Sequence, residues 1–125
     1  MIFCVRRLPS LTREEFQRYW LVEHGPLVKR HAAALRIRRY VQSHSLFDPR
    51  LAAPVVARGA GVEAYDGIAE LWWSSIEDIV AVGDTREGRA AGRALLADER
   101  HFIDLPNSPL FFVQEHEVIG DNARQ

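Results

Sequence analysis

The sequence predicts an α+β domain with the element order β-α-β-β-α-β. Short β-prone runs recur along the chain, amphipathic stretches separate them, and capping residues stand at the start of those stretches. This order is typical of the ferredoxin-like pattern, in which a four-stranded antiparallel sheet carries both helices on one face. The 125 residues suit one domain covering 1–125.

The first half of the chain contains one predicted helix between two predicted strands. Residues 2–6 are apolar or β-prone and end before a Leu-Pro pair. Thr12 is followed three positions later by Glu15, which is the spacing of a capping box and predicts a helix from here to about residue 35. Residues 37–45 alternate between apolar and polar side chains, which predicts the second strand.

The second half begins with a predicted loop and then repeats the strand-helix-strand order. Residues 46–64 are rich in proline, glycine and alanine and predict a long loop. Strands are predicted at 67–73 and 110–118, with a flexible tail at 119–125.

The helix of the second half is predicted in two parts. Ser74, with Glu77 at the box position, caps the first part. Gly83 ends that part, and Thr85 caps a continuation to about residue 102.

Composition excludes several classes of function. Sixteen basic and seventeen acidic residues give a net charge of -1, so neither nucleic acid nor a membrane surface is an expected partner. Cys4 is the only cysteine, which rules out an intramolecular disulfide and a thiolate zinc site. No apolar run approaches the ~18 residues of a membrane span, and the first residues are too short a run for a signal peptide. A cytoplasmic location is expected.

The predicted sheet has one face without a helix. Alternation along the strands gives that face many apolar side chains, and an exposed apolar face of this size usually has a partner. A homodimer in which two sheets pack through these faces is the simplest arrangement.

His24 is the first candidate for a functional residue. It precedes Gly25-Pro26 in the middle of the first predicted helix, where proline removes a hydrogen bond at a cost of about 3 kcal/mol and predicts a kink or restart. The helix stripe expected to face the sheet steps by 4, 4, 3, 4 and 4 residues through Phe16, Trp20, His24, Leu27, His31 and Leu35. A half-buried imidazole can transfer a proton near neutral pH, although a histidine that only fills the core is an equally open interpretation.

Further polar candidates lie on the second and third strands. Tyr40, Gln42 and His44 alternate and share one face of the second strand, which is either the helix side or the dimer side. Glu70 and Trp72 share one face of the third strand, where a carboxylate needs a basic partner if it is buried.

The histidines do not predict a metal site. His24 and His31 are seven residues apart, which is about 10 Å along a helix and too far for one ion. Asp98 and His101 have the spacing of a surface pair on a helix. The sequence has no glycine-rich nucleotide motif. No metal or cofactor is therefore expected.

Taken together, several segments resemble the EthD family of dimeric α/β-barrel proteins. They are "LTREEFQRYWLVEHGPLVKR", "RRYVQSHSL", "DGIAELWW" and "DERHFIDLPNSPLFFVQEHEV", in that order within residues 2–118. The resemblance implies a ferredoxin-like homodimer with a cleft between helices and sheet. It also implies a small, often cyclic organic substrate and little use of cofactors, because relatives include pigment-pathway dehydratases and lactone isomerases.

The resulting functional hypothesis is a cofactor-independent enzyme of the dehydratase, isomerase or cyclase type. His24 is the expected general acid/base, Tyr40 the group that orients an oxygen, and His44 an auxiliary residue. A small hydrophobic or aromatic molecule is expected to contact a set of ligand-binding residues that comprises Phe16, Trp20, His31, Glu70 and Trp72. Two alternatives stay open, which are a non-catalytic binding protein and a purely structural dimer module.

Overall fold

The computed structural model describes residues 1–60 and 63–121 and confirms the α+β class. Its elements in chain order are β1 (Ile2–Val5), α1 (Arg13–Tyr19), a π-helical turn (Trp20–His24), α2 (Gly25–His31), β2 (Arg39–His44), a 3-10 turn (Pro49–Leu51), α3 (Ala52–Ala57), β3 (Gly67–Trp72), α4 (Ile76–Val82), α5 (Arg86–Glu99), a second 3-10 turn (Leu105–Asn107) and β4 (Leu110–Phe111). The four strands form one antiparallel sheet in the order β2-β3-β1-β4. This is the split βαβ pattern that the sequence predicted.

The strand register decides which side chains face the helices. The helix side of the sheet carries Phe3 and Val5 of β1 and Gly67, Ala69 and Leu71 of β3. It also carries the β2 partners of these three β3 residues, which are His44, Gln42 and Tyr40 in the same order. The opposite face, called the open face here, carries Ile2, Cys4, Val41, Ile68, Glu70, Trp72 and Phe111. Tyr40, Gln42 and His44 therefore lie under the helices, which settles the choice that the alternation left open.

The core lies between the helix side of the sheet and one cluster of aromatic rings above it. Phe16 and Trp20 are buried with ring centroids 5.5 Å apart, and Phe102 lies 5.5 Å from Phe16 on the other side. These rings cover Val5 and Leu71 of the sheet. Their burial supplies the main favourable free energy of folding for this layer.

The first helix begins where the sequence predicted and changes its geometry in the middle. Thr12 accepts a hydrogen bond from the Glu15 N–H at 3.1 Å, and the Glu15 carboxylate accepts from the Thr12 N–H at 2.9 Å, so the capping box is confirmed. The π-helical turn then adds one residue to the repeat and shifts the buried stripe from Leu27 to Val28. The predicted stripe was correct up to His24 and again at the buried Leu35, but wrong at Leu27, which is half-buried.

Several predicted boundaries were wrong. The helix ends at His31 rather than near residue 35, and the chain reverses through Arg36 at φ 56°. The predicted loop at 46–64 contains α3 and a 3-10 turn whose N-cap is Asp48. Residues 61 and 62 of that segment, and 122–125 of the predicted tail, lie outside the described residues.

The last strand is much shorter than the predicted 110–118. It pairs only Phe111 with Ile2 and Leu110 with Phe3. Because β1 itself begins at Ile2, residues beyond Phe111 have no strand left beside them to pair with.

The second helical stretch has two parts, as predicted, with one change of cap. Ser75 rather than Ser74 is the N-cap of α4, because its extended backbone lets the hydroxyl accept from the Asp78 N–H at 3.1 Å. Thr85 caps α5 as predicted. A Cβ at Gly88 would collide with the Val82 carbonyl, so this glycine permits the sharp junction between the two helices. No helix among the described residues is long and apolar enough to cross a bilayer.

Candidate functional site

The π-helical turn is the local consequence of Gly25-Pro26. Pro26 has no N–H to donate to the carbonyl one α-helical turn earlier. The Gly25 N–H instead donates to the Trp20 carbonyl, five residues back, which makes the turn π-helical. The Trp20 carbonyl accepts a second hydrogen bond from Gln42 Nε2 at 2.7 Å. The helix defect is therefore tied to β2, and π turns of this kind are frequent at functional sites.

His24 forms a close pair with Asp98 of α5. Its Nδ1 lies 2.7 Å from Asp98 Oδ2, and the Tyr19 hydroxyl donates to Asp98 Oδ1 at 2.5 Å. The ring is 5% exposed and packs against Phe102 at 5.0 Å between centroids. Tyr19 and His24 are five residues apart, so they lie on different faces of an α-helix but come together across a π turn.

The charge states of this cluster leave one nitrogen of His24 free. Hydrogen bonds from Tyr19 and His24 keep the pKa of Asp98 below its ordinary value, although burial opposes them, so the carboxylate can only accept. The hydrogen bond to Asp98 raises the pKa of Tyr19 to about 12, and burial adds to it, so Tyr19 is a donor. Burial lowers the pKa of His24, against the pull of Asp98. Near neutral pH His24 is therefore uncharged, with its proton on Nδ1 and a lone pair on Nε2.

Tyr40, Gln42 and His44 form a hydrogen-bonded row on the helix side of β2. Gln42 Nε2 donates to the Tyr40 hydroxyl oxygen at 2.8 Å, and His44 Nε2 lies 2.9 Å from Gln42 Oε1. An amide oxygen only accepts, so His44 is the donor. The His44 ring stacks on Trp20 at 4.6 Å. The Tyr40 oxygen accepts within this row, which leaves its O–H proton for another acceptor.

Glu99 is a site residue that the sequence did not indicate. It follows Asp98 in α5 and is half-buried. Burial raises the pKa of the Glu99 carboxyl to about 7, and the negative charge of Asp98 adds to the rise. Burial is the main cause that raises the pKa of Tyr40 to about 12, and the charge of Glu99 contributes, which places Glu99 near the row on β2. A carboxyl that titrates near neutrality is suited to general acid/base chemistry.

The raised pKa of Glu99 predicts a pH-dependent stability. The native pKa lies above the unfolded value of 4.5, so stability is greatest below that value and falls as pH rises through about 7. We expect Glu99→Gln to be as stable as the wild type at about pH 4 and more stable by about 2 to 3 kcal/mol at about pH 8. Denaturant unfolding at both pH values measures this. Glu23→Gln, at an exposed position, is the control, and a pH-independent difference for Glu99→Gln would contradict the assignment.

The predicted ligand-binding residues do not form one site. Phe16 and Trp20 lie beside His24 in the core, whereas His31 is half-buried at the end of α2. Glu70 and Trp72 lie on the open face, so the structure does not bring them together with His24. The carboxylate next to His24 is Asp98, which also interacts electrostatically with His101, three residues further along the chain.

Glu70 and Trp72 line a separate cleft of about 910 Å³ beside α4. Glu70 was expected to pair with an arginine or histidine if buried, but its charge acts on the N-terminal ammonium instead. The Trp72 indole donates to the Glu115 carboxylate at 3.1 Å, and its ring lies 4.7 Å from the Arg39 guanidinium.

A second cleft lies on the helix side of the sheet and is called the α2–β2 cleft. It has a volume of about 630 Å³, within the usual range for small-molecule sites. Tyr40 and Gln42 of β2 line it, and Leu21, Gly25 and Val28 face them from the helix. His24 does not line the cleft itself, but its neighbour Gly25 does. Tyr40 thus faces a cleft while its pKa responds to the charge of Glu99.

Sequence alone could not assemble this group because its members are far apart in the chain. Asp98 meets His24 across 74 positions, and Gln42 meets Trp20 across 22. The local signals that were available are Gly25-Pro26, which marks the helix defect, and the alternation of the β2 residues.

Comparisons with known proteins agree with the fold. The sequence profile of the EthD domain matches residues 8–106. A crystal structure of an ethyl tert-butyl ether D (EthD) family protein from Bacillus halodurans is similar, with a TM-score of 0.59 and 16% sequence identity over 92% of this chain and 96% of that one. No curated protein matches the chain. Because the EthD profile covers most of its residues, the chain belongs to the EthD family.

Proposed function

We propose that this chain is an enzyme that uses its own side chains for acid/base chemistry on a small hydrophobic, oxygenated ring compound. The reaction is of the dehydratase, isomerase or cyclase type, each of which needs a proton removed from one atom and delivered to another. The observation that carries the proposal is the His24–Asp98 pair. The carboxylate holds the ring with Nδ1 protonated, which leaves Nε2 as the base, and this arrangement recurs in catalytic histidines.

The other polar groups have complementary roles in this proposal. Tyr40 donates its O–H to a substrate oxygen, since the hydroxyl is the acceptor in its hydrogen bond from Gln42 and keeps its own proton. His44 holds Gln42 in place, so its auxiliary role is to position Tyr40 through that amide. Glu99, with a pKa of about 7, can return a proton to the substrate.

Access to His24 is part of the proposal. The ring is only 5% exposed, so a substrate in the α2–β2 cleft reaches Nε2 only if the π-helical turn shifts beside Gly25. Such movements on ligand binding are common in enzymes that exclude water from the reacting groups.

We further propose that two chains form a homodimer through the open faces of their sheets, giving a dimeric α/β barrel. Ile68 and Phe111 are 37% and 46% exposed on this face, and a second copy would cover this apolar surface. The α2–β2 cleft lies on the other side and stays accessible. A sedimentation experiment at micromolar concentration that gave only monomer would contradict this arrangement.

The test of the proposed function is a turnover screen of the wild-type protein. Hydroxylated aromatics, polyketide-like quinones and unsaturated lactones are incubated with it, while melting temperature and product mass are followed. We expect at least one compound to raise the melting temperature and to change its mass or isomeric form. Binding without conversion across the panel would instead identify a non-catalytic binding protein, and a protein that neither binds nor converts any of them would be the structural dimer module.

A further inference from the structure

Positively charged side chains line the α2–β2 cleft, although the carboxyl of Glu99, outside this lining, acts electrostatically on Tyr40. Lys29, Arg38 and Arg39 line it, and none of the described residues that line it is acidic. The Arg39 guanidinium stacks over the Trp72 ring at 4.7 Å, so its charge belongs to the open face. Lys29 and Arg38 are therefore the two charges that a bound molecule would meet.

Both of these side chains are placed to face the cleft. Arg38 immediately precedes β2 and lines the cleft together with Tyr40. Lys29 follows Gly25 by four residues, which puts it on the helix face that lines the cleft.

Neither charge is neutralised within the described chain. The ion pairs of residues 1–60 and 63–121 engage Arg7, Arg13, Arg36 and Arg50 but not Lys29 or Arg38. Two unpaired cations at the mouth of a mostly apolar cleft attract an anion more strongly than they would on a flat surface, because low-dielectric walls focus their field.

The polar groups of the cleft favour a ligand that carries an oxygen atom as well as a negative charge. Gln42 uses both protons of its amide for Trp20 and Tyr40, so it has no donor left for a ligand. The Tyr40 O–H is the free donor. The remaining walls, including Leu21 and Ile37, are apolar and suit a ring.

We propose that the α2–β2 cleft binds a small amphipathic ring compound through its carboxylate, with Lys29 and Arg38 holding the carboxylate and Tyr40 donating to a ring oxygen. This inference rests on the proposed function, since the bound acid is the substrate of that site. It narrows the substrate class from oxygenated ring compounds to their carboxylic acids.

The test compares a carboxylate with its neutral counterpart by calorimetry. The probes are 3-hydroxy-2-naphthoate and salicylate, each paired with its carboxamide, and the carboxamide keeps the ring and hydroxyl while removing the charge. We expect the wild type to bind at least one of the two acids roughly tenfold more tightly than its amide. Equal affinity for each acid and its amide, or no binding of either acid up to about 5 mM, would overturn the proposal.

Two double variants show whether the named charges are responsible. Lys29→Met with Arg38→Met removes both charges of the cleft, and Arg18→Met with Arg30→Met removes two exposed charges outside it. We expect only the first variant to lose the preference for the acid while its affinity for the amide is unchanged. If both double variants lost the preference for the acid, or if neither did, Lys29 and Arg38 would not be the charges that hold the carboxylate.

The outcome separates this inference from the proposed function. Preferential binding of an acid that depends on Lys29 and Arg38, without conversion of any compound in the turnover screen, supports the inference and contradicts the proposed function. Conversion of neutral ring compounds that is insensitive to both substitutions supports the proposed function and contradicts the inference.

Discussion

His24→Asn is expected to reduce turnover by about 10²- to 10⁴-fold while ligand binding persists, which is the usual contribution of a general base. The asparagine amide can replace the Nδ1–H that donates to Asp98, so the buried carboxylate keeps a partner. The asparagine side chain has no counterpart of the imidazole Nε2, so the variant lacks the proposed base. Steady-state rates on a compound found in the turnover screen, together with its binding affinity, measure the effect.

Asp98→Asn tests the same pair from the other side. The substituted amide no longer fixes the His24 proton on Nδ1, so we expect a loss of about 10- to 100-fold, as for other residues that orient a functional histidine. Asp84→Asn, at an exposed position between α4 and α5, is the control and should retain full activity. If His24→Asn and Asp98→Asn both turned over at the wild-type rate, the histidine would be a satisfied core residue.

Gly67→Ala is expected to destabilise the protein by about 3 kcal/mol or more, at the upper end of what overpacking costs. A Cβ at this position would lie 2.6 Å from the Ser43 carbonyl oxygen and 2.8 Å from Trp20 Cη2. The Ser43 carbonyl belongs to β2 and the indole is 1% exposed, so neither can move aside. The free energy of unfolding from denaturant titration measures the effect.

The matched control for Gly67 is Gly92 in the middle of α5. A Cβ there meets nothing within 4 Å, so Gly92→Ala should stabilise the protein by up to about 1 kcal/mol through helix propensity. Similar unfolding free energies for Gly67→Ala and the wild type would show that Trp20 does not lie against the sheet at this point. The stacking of Trp20 on His44 would then also be in doubt.

The sequence predicted best those features that depend on residues close together in the chain. The capping box of Thr12 and Glu15 and the cap at Thr85 needed only local hydrogen-bonding rules, and both are present. Alternation along β2 correctly put Tyr40 and His44 on one face. The choice of face required the pairing of β2 with β3, which no local pattern contains.

The sequence did not predict those parts of the site that depend on the irregular helix turn or on a residue far away in the chain. Gly25-Pro26 predicted a break, but not that the helix would continue as a π turn and move its buried stripe to Val28. Asp98 has the spacing of a surface pair with His101, and only the packing of α5 against the π turn brings it to His24. The same holds for Asp66, a buried carboxylate that forms ion pairs with Arg7 and Arg13, which are 59 and 53 positions away in the chain.

The most direct test of the central claim is the protonation of the His24 ring, observed by nuclear magnetic resonance on isotope-labelled protein. We expect that near neutral pH the proton resides on Nδ1, protected by its hydrogen bond to Asp98, with Nε2 unprotonated. We also expect the His24 pKa to lie below the ordinary 6.5 because the ring is buried. A proton on Nε2 alone, or on both nitrogens near neutrality, would remove the free base and contradict the proposal.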